Sequence, residues 1–283
     1  MKVLILGASG MLGNAMMRIF GEDEDIDVFG TTRSNTFRHS SQLPPEKIIS
    51  GLDVNNIDTL IGVMRCIKPD VVINCVGLIK QLKESNNPMH ALPINSIFPH
   101  RLEMLVSTQG SRLVHISTDC VFSGLKGNYK EDDVSDAIDL YGKSKYLGEV
   151  ACKNSVTLRT SIIGHELNTC NGLVDWFLRQ QGTCLGYENA IFSGLPTVVL
   201  AKIIKNIVIP KKLTGLYHIG SEPISKFNLL KIIAEIYKRD IKIVPDRKLR
   251  INRSLCFEKF SSETGYQASP WIDLIRVMYE YQK

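Results

Sequence analysis

The chain has 283 residues, 44% of them hydrophobic, and 34 Lys and Arg against 29 Asp and Glu give a net charge of +5. This is enough apolar material for one large domain or two modest ones, and the dispersed basic excess excludes a nucleic-acid-binding surface; the densest run, Arg247-Lys248-Leu249-Arg250, reads as solvated. Apolar runs are only strand-sized, which leaves no membrane span or signal-peptide core, and the start Met1-Lys2-Val3 leads into a strand, so a mature cytoplasmic protein is expected.

Lys2-Val3-Leu4-Ile5-Leu6 reads as a strand, and a helical pattern follows it at Met11, Leu12, Ala15, Met16 and Ile19. Between them lies Gly7-x-x-Gly10-x-x-Gly13. Glycine lets a backbone approach a pyrophosphate without a Cβ in the way, and a helix N-terminus offers N–H groups and a positive dipole end. Gly7, Ser9, Gly10, Met11, Leu12 and Gly13 are therefore the candidate dinucleotide-binding residues. The second strand spans 26–32, with Asp27 as a strand-start residue. Arg33 follows where an acidic residue would select the ribose hydroxyls of NAD; a guanidinium there suits a 2′-phosphate, which points to NADP with NAD as the alternative. Arg38 is a second candidate for that phosphate.

A third strand at 47–50 leads to Asp53-Val54, and a helix through Ile57, Leu60, Ile61 and Met64 is stopped by Pro69. The fourth strand, 71–75, runs into Val76-Gly77-Leu78, where backbone would pass beneath the cofactor's ribose. A helix carrying Asn95, Ile97, Leu102 and Leu105 follows, interrupted by Pro99 for no reason that spacing supplies. The fifth strand, 113–116, buries His115 and delivers Ser117-Thr118-Asp119 to its C-terminal end, where ligands bind in open parallel sheets. Tyr141 and Lys145 stand four apart, so on a helix they share one face, and an ammonium beside a phenol favours the phenolate. With a sixth strand at 156–159, the alternation argues an α/β fold with a doubly wound parallel sheet, the Rossmann type. The dinucleotide-binding domain is set at 1–160.

Beyond it, 161–283 reads as a smaller, mainly substrate-binding region. Residues 172–181 look helical, Phe192-Ser193-Gly194-Leu195-Pro196-Thr197 reads as a turn before an apolar helix at 198–208, and 216–220 as a short strand. A helix spans 225–237 with Ser225 as N-cap, and Pro270 opens a last helix. Seven cysteines without metal or disulfide spacing fit a reducing compartment; Cys66, Cys75, Cys152 and Cys184 read as small core or edge residues, and no metal site is expected.

The glycine turn, the Ser117-Thr118 pair and Tyr141-x-x-x-Lys145 resemble the extended short-chain dehydrogenase/reductases. Within them, Ser117-Thr118-Asp119-Cys120-Val121-Phe122-Ser123-Gly124, Tyr141-Gly142-Lys143-Ser144-Lys145 and Pro196-Thr197 are most similar to the dTDP-4-dehydrorhamnose reductases. The resemblance implies NADPH-dependent reduction of the 4-keto group of a nucleotide-diphosphate-linked 6-deoxy sugar, in the making of cell-surface polysaccharide precursors. It implies that Thr118 hydrogen-bonds the substrate oxygen, Tyr141 supplies the proton, and Lys145 binds the nicotinamide ribose. It also places Asp53 and Val54 at the adenine, Asn74, Cys75, Val76 and Gly77 along the cofactor, Phe192, Pro196 and Thr197 at the substrate, and Asn95 as a structural Asn. The partner is then a nucleotide sugar, and some relatives form homodimers through a carboxylate-bound magnesium that has no counterpart legible here.

Two alternatives accompany this reading: a non-catalytic NADP-binding regulatory subunit, and an epimerase or dehydratase on the same scaffold. Dehydratases carry a carboxylate after Asp119, where this chain has Cys120. Asp119 itself is expected to point away from the site that Thr118 faces, because side chains alternate along a strand.

Overall fold

Val3, Leu4, Ile5 and Leu6 are all buried, as are Val71, Val72 and Ile73. Strands apolar on both faces belong in the middle of a parallel sheet covered by helices. In the computed structural model, which describes residues 1–34, 44–167 and 170–282, β1 (Lys2–Leu6) pairs in parallel with β2 (Asp27–Thr31) and with β4 (Val71–Asn74). Beyond β2 lies β3 (Ile48–Ile49), and beyond β4 lies β5 (Arg112–Thr118), both parallel. With β6 (Ser155–Thr160) and β11 (Gly215–His218) the sheet has the order β11-β6-β5-β4-β1-β2-β3. This is the doubly wound arrangement expected, with the strand order reversing between β1 and β4. Arg38 lies outside the described residues.

Helices cover this sheet through residues spaced three and four apart. On α1 (Met11–Gly21), Met16, Met17, Ile19 and Phe20 are buried; on α2 (Ile57–Ile67), Leu60, Met64 and Ile67 join Leu4, Leu6 and Val72 in one core. Each such side chain removed from water stabilises the fold by about 1.5–3 kcal/mol before entropy is counted. Asn56 caps α2 by accepting from the Asp58 N–H at 3.2 Å, and Lys68 leaves it in a left-handed turn at φ 52 just before Pro69.

The interruption at Pro99 has a structural reason. The chain runs from α3 (Pro88–Leu92) through a widened turn (Pro93–Ile97) into α4 (Phe98–Thr108), with the Phe98 N–H bonded to the Pro93 carbonyl five residues back. Pro99 has no N–H to give the Asn95 carbonyl four residues before it, so an ordinary turn would leave that carbonyl unpaired. The widened turn falls where the proline demands it.

The chain divides into two compact units, one of Met1–Ser117, Ile138–Leu158 and Ala201–Leu216, the other of Thr118–Ala137, Arg159–Leu200 and Tyr217–Lys283. In the second, short strands do the organising. A parallel pair joins β7 (Ile162–Ile163) to β10 (Leu195–Pro196), and another joins β8 (Thr183–Tyr187) to β13 (Lys242–Asp246). β9 (Ala190–Phe192) lies between antiparallel β12 (Ile224–Ser225) and parallel β14 (Ile251–Asn252).

The expected turn at 192–197 is thus the end of β9, then β10, then the start of α7 (Thr197–Ile203), which passes into a widened turn at Ile204–Val208. The helix expected at 172–181 is α6 (Leu173–Leu178). Ser225 caps α8 (Lys226–Ile236) as expected, accepting from the Asn228 N–H at 3.1 Å. α9 (Glu258–Thr264) is an addition to the expected elements, and Pro270 precedes α10 (Trp271–Glu280). Cys184 is buried, but Cys66 and Cys152 are exposed, against the expectation of core or edge packing. No helix among the described residues is long and apolar enough to cross a membrane.

Candidate functional site

The end of β1 is shaped by what glycine lacks. Gly7 has φ +86, and a Cβ on Gly13 would lie 2.1 Å from the Gly7 carbonyl oxygen. The Gly10 N–H bonds that same oxygen at 3.0 Å, closing the turn onto the start of α1. Gly10 caps α1 with no side-chain hydrogen bond, and the first turn holds no acidic residue, so the helix brings no anion of its own to its positive end. Ser9 belongs to this turn, and Met11 and Leu12 open α1. The cradle fits a pyrophosphate: it is bare of Cβ atoms at the point where α1 meets β1.

Neighbouring strand ends close around it. Ala8 N–H bonds the Thr31 carbonyl at 2.8 Å at the end of β2, and Leu52 N–H bonds the Thr32 carbonyl at 3.0 Å. This ties the Asp53-Val54 turn to the strand end that carries Arg33, whose side chain is exposed. Asp53 also folds its carboxylate back to accept from the Asn55 N–H at 3.0 Å. A Cβ on Gly7 would stand 3.2 Å from the Val76 side chain and 3.4 Å from the Cys75 carbonyl, so the segment after β4 lies against the glycine turn. Asn74 holds this segment by accepting from the Val76 N–H at 3.1 Å while its Nδ2 donates to His115 Nδ1 at 3.1 Å. His115 therefore carries its proton on Nε2. Burial, with the Lys145 charge beside it, pushes its pKa well below the usual value, so it stays a neutral core histidine.

The helix expected around Tyr141 is α5 (Leu140–Leu147), capped by Asp139, whose carboxylate accepts from the Gly142 N–H at 2.8 Å and from Lys80 Nζ at 2.6 Å. Tyr141 and Lys145 share one face, one turn apart. Tyr141 is half-buried and Lys145 is 5% exposed. Lys145 Nζ donates to the Ile116 carbonyl at 2.7 Å and would lie 3.9 Å from a Cβ placed on Gly77. Burial lowers its pKa from 10.5 to about 8, against the opposing pull of Glu149. Burial also pushes the Cys75 thiol up to about 12, so Cys75 remains protonated.

Asn95 locks α5 in position. Its Oδ1 accepts from the Leu78 N–H at 2.9 Å, and its Nδ2 donates to Ser144 Oγ at 3.1 Å. Gly148, at the end of α5, comes so close that a Cβ there would sit 1.9 Å from the Asn95 carbonyl oxygen. Ser144 and Glu149 are site residues that the motif reading misses, although Glu149, four residues after Lys145, has a readable signal in that spacing. Glu149 accepts from Ser117 Oγ at 2.7 Å.

Thr118 begins the second unit and is buried. Its Oγ1 accepts from the Cys120 N–H and donates to Asp119 Oδ1, both at 3.1 Å. Asp119 therefore does not point away from Thr118. The strand ends at Thr118, and Asp119 opens a tight helical turn (Asp119–Val121), so strand alternation no longer applies. Burial raises the pKa of Asp119, opposed by the nearby Arg253 charge and by hydrogen bonds from Thr118 and Cys120. Arg253, far along the chain, leaves no local signal. In the same unit Phe192, Pro196 and Thr197 are buried. Phe192 packs its ring against Trp271 at 5.6 Å, and a Cβ on Gly194 would strike the Ser161 carbonyl.

A doubly wound sheet reversing beside a glycine turn, with a Tyr-x-x-x-Lys helix packed against the neighbouring strand end, defines the extended short-chain dehydrogenase/reductase class. Within that class, the family model for the RmlD substrate binding domain matches residues 1–250, and the chain belongs to that family. It is 28% identical over 235 residues to a dTDP-4-dehydrorhamnose reductase of Aggregatibacter actinomycetemcomitans, covering 78% of this chain and 74% of that one. It is also 31% identical over 150 residues to the methionine adenosyltransferase 2 subunit beta of Xenopus tropicalis, spanning 53% of this chain but only 42% of that protein's length. A dTDP-4-dehydrorhamnose reductase of Bacillus anthracis, solved in complex with NADP, shares the fold at a TM-score of 0.82 and 24% identity, covering 100% of this chain and 99% of that one.

Proposed function

We propose that the chain reduces the 4-keto group of a nucleotide-diphosphate-linked 6-deoxy sugar with NADPH, in the cytoplasm, as a step toward cell-surface polysaccharide precursors. The observation that carries the reading is the buried Lys145 ammonium, one helical turn from Tyr141 and facing Gly77 and Cys75. Residues 1–160 would mainly hold the dinucleotide and 161–283 mainly the sugar nucleotide. Gly7, Ser9, Gly10, Met11, Leu12 and Gly13 receive the pyrophosphate, Arg33 the 2′-phosphate, and Asp53 and Val54 the adenine. Cys75, Val76 and Gly77 line the path to Lys145, which binds the nicotinamide ribose.

When bound, the cofactor supplies a hydride to the carbonyl carbon. Charge then develops on the oxygen, and Tyr141 delivers its phenolic proton there while Thr118 donates a hydrogen bond. Lys145 favours the phenolate left behind. Phe192, Pro196 and Thr197 support the sugar-nucleotide side from within their unit.

The similarity to methionine adenosyltransferase beta subunits favours a second reading, a regulatory subunit that binds NADP without turnover. The retained Tyr141 and Lys145 speak for catalysis, since such a subunit needs no proton donor. For a dehydratase, the position after Asp119 holds Cys120, whose side chain is a hydrogen-bond partner of Asp119. The test is incubation of the purified protein with NADPH and a panel of nucleotide-linked 4-keto-6-deoxy sugars. Stoichiometric NADPH loss with one of them is expected. Tight NADPH binding without turnover would favour the regulatory reading, and loss of water from an ordinary nucleotide-hexose the dehydratase.

A further inference from the structure

A threonine hydroxyl has one proton and two lone pairs, and at Thr118 most of this capacity is already committed. One lone pair takes the Cys120 N–H, and the proton goes to Asp119 Oδ1. What remains to face a ligand is a lone pair. A keto oxygen is itself only an acceptor, so in this arrangement Thr118 would repel the group it is meant to bind. The conflict disappears when Asp119 carries a proton. Its own O–H then donates into the second lone pair of Thr118, and the Thr118 proton swings outward.

We propose that Asp119 is a positioning residue that sets the direction of the Thr118 hydroxyl: as the carboxylic acid it turns Thr118 into a donor for a keto oxygen, and as the carboxylate it turns Thr118 into an acceptor. The functional half of this rests on the reductase reading above. Asp119 neither gains nor loses a proton during turnover; its protonation state only sets the direction of its hydrogen bond with Thr118 and of the bond that Thr118 makes to the ligand. The groups acting on Asp119 are Arg253, just after β14, Lys226, at the start of α8, and its own neighbours Thr118 and Cys120; all of these favour the carboxylate, and burial, the largest influence, favours the acid. Arg253 is fixed in place, with Nε donating to the Phe122 carbonyl at 2.7 Å.

The consequence has a sign. Reduction of a ketone needs the acid form, so kcat/KM for reduction falls as pH rises through the Asp119 titration. Oxidation of the product alcohol passes through the same transition state, with charge on the oxygen, so its kcat/KM carries the same Asp119 dependence. Asp119→Asn presents an amide N–H to Thr118 at every pH, so the alkaline fall should vanish. Asp119→Ala removes both settings: it should lose the alkaline fall and, relative to the acid form at low pH, lower kcat/KM by about tenfold, a loss that Asn restores, as expected for removal of one oriented hydrogen bond. In a Thr118→Val background, the further change Asp119→Asn should leave the pH profile as it was, because the effect runs through the missing hydroxyl.

An alkaline fall that persists in Asp119→Asn, or an equal effect of that change with and without the Thr118 hydroxyl, would overturn the proposal. A readout without turnover separates it from the reductase reading. In protein labelled with 13C at aspartate carboxyls, the resonance lost in Asp119→Asn should titrate above the ordinary 3.8 and move higher still in Thr118→Val, which removes a donor to the carboxylate. Titration at or below 3.8, or no response to Thr118→Val, would refute the relay whether or not a sugar is reduced. A protein that reduces no keto sugar yet shows this titration would refute only the reductase assignment.

Discussion

The glycine cradle of the first unit and the Thr118-Asp119-Cys120 turn of the second are built on opposite principles. In the first, function follows from missing atoms: a Cβ on Gly13 would fall 2.1 Å from the Gly7 carbonyl oxygen, Gly77 leaves room beside Lys145, and Gly148 lets α5 touch the Asn95 carbonyl. In the second, it follows from occupied ones. Tyr129 Oη accepts from the N–H groups of Gly124 and Lys126, both at 3.1 Å, its ring stacks on Phe122 at 4.1 Å, and Phe122 in turn lies under Arg159. Arg159 Nη1 meets Nε2 of His218 at 3.3 Å, and burial with that adjacent charge depresses the His218 pKa to about 3, so the imidazole stays neutral. A backbone cradle tolerates no added atom, whereas a side-chain network tolerates no lost one.

The largest effect should come from adding one atom to the cradle. Gly13→Ala forces its Cβ against a backbone oxygen that cannot move without dragging β1, so urea unfolding should show a loss of about 3 kcal/mol, at the upper end of overpacking costs. A loss under about 1 kcal/mol would mean the turn can open, and the contrast between the two regions would weaken.

Lys145→Met sharpens the same side through pH. The Lys145 pKa is lowered in the folded state from 10.5 to about 8, so between those values the unfolded chain binds more protons and stability rises with pH. The wild type should gain on the order of 3 kcal/mol relative to Lys145→Met between about pH 7.5 and 10.5. Parallel stability curves for the two proteins would contradict a buried, destabilised ammonium.

Tyr129→Phe probes the other region by deletion. It strips one acceptor from two N–H groups, the buried one of Gly124 and the part-buried one of Lys126, and should destabilise by about 2 kcal/mol, within the cost of leaving a buried donor unpaired. A neutral outcome would show that the network is not what holds the turn. Smallest is Arg33→Ala, where an exposed guanidinium is lost. NADPH affinity should fall by about tenfold with NADH unchanged, the scale of one charge-assisted contact. Equal losses for both cofactors would remove Arg33 from the 2′-phosphate.

The same contrast decides what is legible in the sequence. β1, the glycine turn and α1 can be read because buried parallel strands are continuous apolar runs and glycines at fixed spacing mark close approach. Tyr141 and Lys145 can be read because a helix places residues four apart on one face. The second unit resists such reading: β12 and β14 are two residues each, and they pair with β9 across long separations, so neither has a period to detect. Asp119 departs from expectation for a related reason, since the strand ends one residue before it and alternation stops there. Arg253 is near Asp119 only through the fold. Pro99 is visible as an interruption, but its consequence, a widened turn around Asn95, needs the backbone.

The proposed chemistry is hydride transfer to a sugar carbonyl with Tyr141 as the proton donor. The most direct measurement uses NADPH deuterated at both positions of the nicotinamide C4, incubated with a nucleotide-linked 4-keto-6-deoxy sugar, and mass spectrometry of the product for wild type and Tyr141→Phe. One deuterium at the sugar C4 is expected for the wild type, and turnover lower by about 10²–10⁴-fold in the variant with NADPH binding nearly intact. A product without deuterium, or a variant keeping more than about a tenth of wild-type turnover, would contradict it.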